Sequence, residues 1–317
     1  MSKKIPLFRT FVCFFCCVGF LSCVSAPKRP ERFGELNAFA WRSVLGEDGP
    51  VEGIDLLKGK FSGPALEFWA IRADLTKPNI EVFAGPLPED GTIRAVTVSA
   101  FAQNHGCVAA INANPFEITG EKGLSRVERA RTVGLVVSGG VVISPPNPRY
   151  DALVIYGPAK ALNTPEVPRA AVISQAEAVS PSGASGFGAI ETAAGGFYRI
   201  LEGGKPSAQA LSKRGDVRHP RSAAGISADR RFLYLLVIDG RRPGSAGATE
   251  AETAALMEGL GAADALCFDG GGSSALVLRQ GGERPRALNT PVNGVPGRER
   301  RVTACLGIRV RRAEDGP

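Results

Sequence analysis

The chain is poor in the side chains that most often hold metals or shuttle protons. It has two histidines, His105 and His219, in 317 residues, which excludes histidine metal clusters and leaves little for a histidine-based catalytic triad. Of its seven cysteines, Cys13, Cys16, Cys17 and Cys23 crowd an N-terminal apolar segment. Cys107, Cys267 and Cys305 remain, an odd and widely spaced set without a Cys-x-x-Cys pair, so neither a disulfide scaffold nor a zinc site is indicated. Cys107 and Cys267 sit in apolar runs and read as small buried hydrophobes. Aromatics make up 7% of the chain, and no internal repeat or charge block stands out.

Glycine is abundant at 39 and proline at 23. Together with recurrent β-branched runs, this favours an α+β fold: a strand-rich mixed sheet with a few packed helices. The net charge of +7 falls to +4 when Lys3, Lys4 and Arg9 are set aside, so it argues little for a nucleic-acid partner. Those three residues precede an uncharged run from Thr10 to Pro27 and make a basic n-region before a short apolar h-region, the pattern of an export signal. The run is near the lower limit of a spanning helix. Two cleavage sites compete: after Val24-Ser25-Ala26, or at Phe20-Leu21-Ser22-Cys23, which resembles a lipobox and would make Cys23 a lipidated N-terminus. The expected organisation is a signal over 1–23, a tether over 24–62 and one domain over 63–312. Export follows, with membrane attachment only through an N-terminal lipid or an uncleaved signal.

Leu66 to Leu75 and Asn79 to Ala84 read as two strands around Thr76-Lys77-Pro78, expected to form a hairpin. Thr97 to Gln103 predicts a short helix, and Cys107 to Ile111 a buried strand. That strand ends at Asn112, which either faces a cleft or serves the turn before Pro115. Thr132 to Ile143 predicts a hairpin around Ser138-Gly139-Gly140. Glu191 to Leu201 predicts a further strand entered through Gly195-Gly196, while 144–190 carries little pattern.

The last third is the most legible. His219-Pro220-Arg221-Ser222-Ala223-Ala224-Gly225-Ile226 leads through an Asp229-Arg230-Arg231 turn to the apolar strand Phe232 to Ile238, which ends at Asp239-Gly240-Arg241. Thr249 and Glu252 form a Thr-x-x-Glu capping box, and Gly261 stops the helix they open. The next strand ends at Asp269-Gly270-Gly271-Gly272-Ser273-Ser274. Strand, helix, strand implies a right-handed βαβ unit whose two strands end on one edge, as neighbours or with one strand between them. Three glycines exceed the needs of a turn, so the hexapeptide is the leading site candidate.

A phosphate-binding P-loop needs a lysine after its glycines, and a hydrolase elbow needs Gly-x-Ser-x-Gly; neither is present. No motif requires a cofactor or metal ligand set, although carboxylates and carbonyls could take a hard divalent cation. The residues fit an anionic, oxygen-rich substrate. Arg221 and Arg241 can clamp phosphate, the glycine amides can cradle it, and Asp239 and Asp269 offer paired acids.

In order and spacing, His219 to Gly225, Asp239-Gly240-Arg241, Thr249 to Leu260 and Phe268 to Ser274 resemble the phosphodiester glycosidase family. The resemblance spans about Ala65 to Val310. Asn112 to Phe116 matches the family's Asn-Gly-Gly-Phe-Phe segment loosely, with Ala113, Asn114 and Pro115 in place of the usual small pair. Asn289-Thr290-Pro291 and Arg300-Arg301-Val302 resemble its closing motif. The resemblance implies hydrolysis of a sugar-1-phosphodiester on an envelope or extracellular glycan. It assigns Arg221 to the phosphate, with Arg241 secondary, and Asp269 and Asp239 to activating water or stabilising oxocarbenium charge. It assigns His219, Asn112, Gly270, Gly271, Gly272, Ser273 and Ser274 to substrate binding. The competing expectation is an envelope lipoprotein that binds glycan or peptidoglycan without cleaving it.

Overall fold

The computed structural model describes residues 36, 39–87, 93–119, 130–157, 169–178 and 190–311. The expected signal over 1–23 lies outside them. In chain order the strands are β1 (Arg42–Gly46), β2 (Gly49–Phe61), β3 (Leu66–Asp74), β4 (Ile80–Gly85), β5 (Ala109–Asn112), β6 (Phe116–Ile118) and β7 (Ala130–Thr132). There follow β8 (Val136–Ser138), β9 (Val141–Ser144), β10 (Asp151–Tyr156), β11 (Arg169–Ser174), β12 (Ile190–Gly195), β13 (Arg199–Glu202) and β14 (Lys205–Pro206). The last third supplies β15 (Arg221–Ser227), β16 (Phe232–Ile238), β17 (Ala262–Cys267), β18 (Leu276–Leu278), β19 (Arg286–Ala287), β20 (Val292–Asn293), β21 (Val295–Pro296) and β22 (Cys305–Val310). The helices are α1 (Val98–Asn104), α2 (Gln175–Ala178) and α3 (Glu250–Leu260).

An eight-stranded sheet in the order β1-β2-β3-β16-β15-β17-β13-β14 forms the spine. One face packs on α3 and the other on two five-stranded sheets, β11-β10-β12-β8-β9 and β19-β18-β5-β22-β4. Burial on both faces explains why β16 is apolar without alternation: Leu233, Leu235 and Val237 enter the core between sheets, while Tyr234, Leu236 and Ile238 enter the core under α3.

The α+β class holds, with strands dominant, but the expected mixed sheet does not. β15 lies between β16 and β17 and pairs antiparallel with each. β16 and β17 therefore run in the same direction without touching, and both reach the same sheet edge. The expected hairpin at Thr76-Lys77-Pro78 is also absent: β3 pairs with β2 and β16, whereas β4 pairs with β22 in another sheet. Asp74 accepts from the Thr76 amide at 3.0 Å and hydroxyl at 2.6 Å, turning the chain out of its first sheet. The expected tether is sheet from Arg42 onward, because β2 pairs along β3 from Ile54↔Ala73 to Phe61↔Leu66.

α1 and α3 start where the sequence indicates. Thr97 caps α1 through the Ala100 amide, and Thr249 and Glu252 complete the capping box of α3, which Gly261 closes in the left-handed conformation. Cys107, Cys267 and Cys305 are free and buried. Burial pushes the thiols of Cys107 and Cys267 up to about 12, which makes them inert packing groups.

Candidate active site

Asp269 leaves the end of β17 and lines a cavity of about 320 Å³ with Arg300, Phe116, Tyr150, Phe197 and Glu117 among its walls. The backbone delivers these side chains from distant parts of the chain. Phe197 is pinned to the end of β17, its amide donating to the Cys267 carbonyl at 2.8 Å. Tyr150 meets the Phe197 ring edge-on at 5.6 Å between centroids. The Arg300 guanidinium lies 5.7 Å from the Phe116 ring centroid. Paired backbone bonds between Val302 and Val96, at 2.8 and 2.9 Å, fix the segment carrying Arg300.

Asp269 is partly buried, and burial raises its pKa above the ordinary aspartate value. The Ser273 hydroxyl, the Arg300 charge and the Gly270 amide pull in the other direction. Arg300 also reaches the Ser273 hydroxyl at 3.4 Å. Cation, carboxyl and aromatic rings thus share one small concavity, the composition expected of a site for a polar ligand with an apolar face.

The glycines beside Asp269 serve close approach more than anion cradling. Gly271 has φ of +62°, and a Cβ there would lie 3.2 Å from the Arg241 guanidinium. At Gly270 a Cβ would meet the Pro220 carbonyl at 2.9 Å. The Gly271 amide donates to the Pro220 carbonyl, while the Ser273 and Ser274 amides donate back to Gly270 and Gly271 in a short 3-10 turn. Those amides are already engaged. Gly272 backs onto the β20 backbone, where a Cβ would meet the Val292 carbonyl at 3.3 Å.

Arg221 does not face this cavity. The β15 register turns it with Ala223 toward α3, where its guanidinium donates to the Ala248 carbonyl at 3.0 Å, the Val217 carbonyl at 2.7 Å and Glu250 at 3.1 Å. Its neighbour Ser222 points to the opposite face and donates to Asn112 Oδ1 at 2.8 Å. Asn112 is fully buried. It donates to the Asp269 carbonyl at 2.6 Å and accepts from the Ala275 amide at 3.1 Å, so it holds both ends of the glycine segment from beneath.

Asp239 is buried and joins the end of β16 to the closing motif. One carboxylate oxygen accepts from the Thr290 amide at 3.0 Å and Asn289 at 3.2 Å, and the other from Arg242 Nε at 2.7 Å. Burial raises its pKa despite these donors. Asn289 also donates to the Ser274 carbonyl at 3.0 Å, completing the support of the loop. Ser274 is buried beneath the loop. Arg241 is exposed above Gly271 and contacts His219 Nδ1 at 3.0 Å.

The structure therefore brings Asp269, Gly271, Arg241 and His219 to one edge, with the buried Ser273 hydroxyl engaged by Asp269 and Arg300, and places Arg221, Asp239, Asn112 and Ser274 in the support below. Sequence reasoning missed Arg300 as a site residue, together with Tyr150 and Phe197. Their spacing carries no local pattern, and only the Arg300-Arg301-Val302 motif marked the first. Among the described residues no group of three or more His, Cys, Asp or Glu is placed to hold a metal ion. Asn114 explains one departure from the family pattern. It donates to the Val133 and Leu135 carbonyls at 3.2 Å each and accepts from the Gly195 amide at 3.0 Å, tying the end of β5 to the neighbouring sheet.

Several solved structures share the fold, among them the following three. The catalytic domain of zebrafish N-acetylglucosamine-1-phosphodiester alpha-N-acetylglucosaminidase, auto-inhibited by its pro-peptide, superposes with a TM-score of 0.59 at 15% identity, covering 86% of this chain and 88% of that one. A hypothetical protein from Synechocystis gives 0.56 at 19% identity, covering 82% of this chain; this chain spans 63% of that protein. A Burkholderia pseudomallei protein described as exported gives 0.54 at 17% identity, covering 77% and 74%. No curated protein matches the chain closely enough to count as a relative. The phosphodiester glycosidase family profile matches residues 105–309, a span that contains Asn112, Asp239, the glycine loop and Arg300, and on that match the chain belongs to the phosphodiester glycosidase family.

Proposed function

We propose that this chain hydrolyses a sugar-1-phosphodiester, releasing the sugar from a phosphomonoester, and that the substrate is an envelope or extracellular glycan reached by export. The observation that carries the reading is the cavity in which Asp269 and Arg300 stand beside Phe116, Tyr150 and Phe197. Aromatic faces suit the C-H face of a pyranose, and an arginine suits a phosphate oxygen. Membership of the family supports the reaction class.

The division of labour follows from the chemistry. A phosphomonoester has a second pKa of about 6, so it leaves with little protonation and needs cations near it. Arg300, beside Ser273, and Arg241, over Gly271, supply them. Asp269 in its ionised form activates water or stabilises oxocarbenium charge at the anomeric carbon. Arg221 and Asp239 act through the backbone they hold. This revises the roles drawn from the motifs, because both side chains are engaged within the protein.

The test is release of free sugar and a phosphomonoester from a sugar-1-phosphodiester by the purified protein. Since burial raises the Asp269 pKa and its ionised form is the working one, activity is present above that pKa and lost as pH falls through it. The acid limb of kcat/KM is therefore expected above the ordinary aspartate value of about 3.9. A limb at or below that value would remove Asp269 from the role. The aromatic wall also favours a second reading, glycan binding without cleavage. Calorimetric binding of a sugar phosphodiester with no product on long incubation would select it.

A further inference from the structure

Arg241 and Arg230 are the non-glycine residues with positive φ among the described residues, and Arg241 sits at φ of 58°. A long side chain in that region is uncommon and persists only where its surroundings hold it. Here the partner is visible. The Arg241 guanidinium lies over Gly271, with Nη2 3.0 Å from Nδ1 of His219. His219 is itself fixed, its backbone paired with Ala248 in both directions at 3.2 and 3.0 Å.

The chemistry of the contact determines the state of the imidazole. A guanidinium carries donors only and keeps its proton at any pH the fold meets. The contact therefore needs a lone pair on Nδ1, which leaves the ring neutral with its proton on Nε2. The charged groups facing His219 are Arg221 at the start of β15, Arg241 after β16 and Glu250 on α3. Burial and then the two arginines hold its pKa below the ordinary histidine range, with Glu250 opposing them. Glu250 is already engaged by Arg221 and by the Tyr198 hydroxyl at 2.5 Å.

We infer that His219 is a positioning residue: its Nδ1 lone pair fixes the Arg241 guanidinium over Gly271, so that the remaining guanidinium donors and the imidazole Nε2-H bind a phosphate oxygen at the outer edge of the loop. His219 is then no general base, since a proton taken up at Nδ1 would set two cations 3.0 Å apart. The inference deepens the proposed hydrolysis and rests on it for the identity of the anion.

The test combines a spectroscopic readout with binding of inorganic phosphate. With two histidines in the chain, the His219 ring nitrogens are assigned in a 15N-1H spectrum by comparison with His219→Asn. The expected wild-type state at pH 7 is the neutral Nε2-H tautomer, and in Arg241→Met the ring should titrate at higher pH because a neighbouring cation is gone. Phosphate affinity should fall about tenfold or more in Arg241→Met and His219→Leu. His219→Asn, whose Oδ1 can accept from Arg241 without titrating but which gives up the Nε2-H donor, should bind phosphate more tightly than His219→Leu and less tightly than wild type. An Nδ1-H or doubly protonated ring at pH 7 overturns the inference, as does undetectable phosphate binding by the wild type or equal affinity in Arg241→Met. None of these readouts needs turnover. A wild type that binds phosphate in this way but cleaves no sugar-1-phosphodiester refutes the proposed function and leaves the role of His219 standing.

Discussion

Asp269→Asn should lower turnover of a sugar-1-phosphodiester by about 10³-fold while leaving the protein at least as resistant to denaturant at pH 7. The two halves of this result have one cause. Burial raises the Asp269 pKa in the folded state, so keeping the carboxylate ionised beside aromatic rings costs stability at neutral pH. That cost is absent below the unfolded pKa and grows as pH rises through the folded one. Asparagine keeps an acceptor for the Ser273 hydroxyl and carries no charge, so it loses the base and relieves the cost. Steady-state kinetics and a urea titration on the same preparations check both halves. A variant that lost activity and stability together would mark Asp269 as a structural residue, and one that kept full turnover would remove it from the chemistry.

Arg221→Ala should have the opposite signature, a loss of about 3–5 kcal/mol of stability arising from the fold and not from the ligand. Arg221 and Glu250 have side chains 8% and 5% exposed and sit 3.1 Å apart. Removing the guanidinium strands a buried carboxylate at the start of α3, takes the arginine donor from the Val217 carbonyl and leaves the Ala248 carbonyl with the His219 amide. The urea midpoint should fall sharply, and Arg221→Met combined with Glu250→Gln should recover part of the loss because no buried charge is then unpaired. Phosphate affinity of the folded fraction should stay close to wild type. A stable Arg221→Ala protein that no longer bound phosphate would restore Arg221 to the ligand role that its motif suggested.

That contrast shows where reading the chain reaches its limit. Residues 249–261 were legible because a capping box and a left-handed glycine are local signals, and so were β15, β16 and the end of β17. The facing of Arg221 was not. β15 is buried along its whole length, so its sequence has no polar alternation to tell the helix side from the sheet side, and only the register with its neighbours decides. β1 and β2 were hidden by glycines and a proline within their strands; β2 takes its pairing from β3, and β1 pairs in turn with β2. Asp239 and Asp269 end on one edge with β15 between them, one of the two arrangements that the strand order allowed, and their carboxyls serve different ends: one braces Asn289 and Thr290, the other lines the cavity. The cavity's aromatics could not be collected in advance. Phe116 opens β6, while Tyr150 and Phe197 lie in the connections before β10 and β13, and only the folded chain brings the three to one cavity.

The most direct measurement of the central claim is a crystal structure with a sugar-1-phosphate bound. The sugar ring is expected in the cavity against Phe116, Tyr150 and Phe197, its anomeric carbon beside the Asp269 carboxylate, and the phosphate on Arg300 with Arg241 at its outer edge. A ligand bound away from that cavity, or a phosphate drawn to Arg221 with Asp269 left without contact, would contradict it.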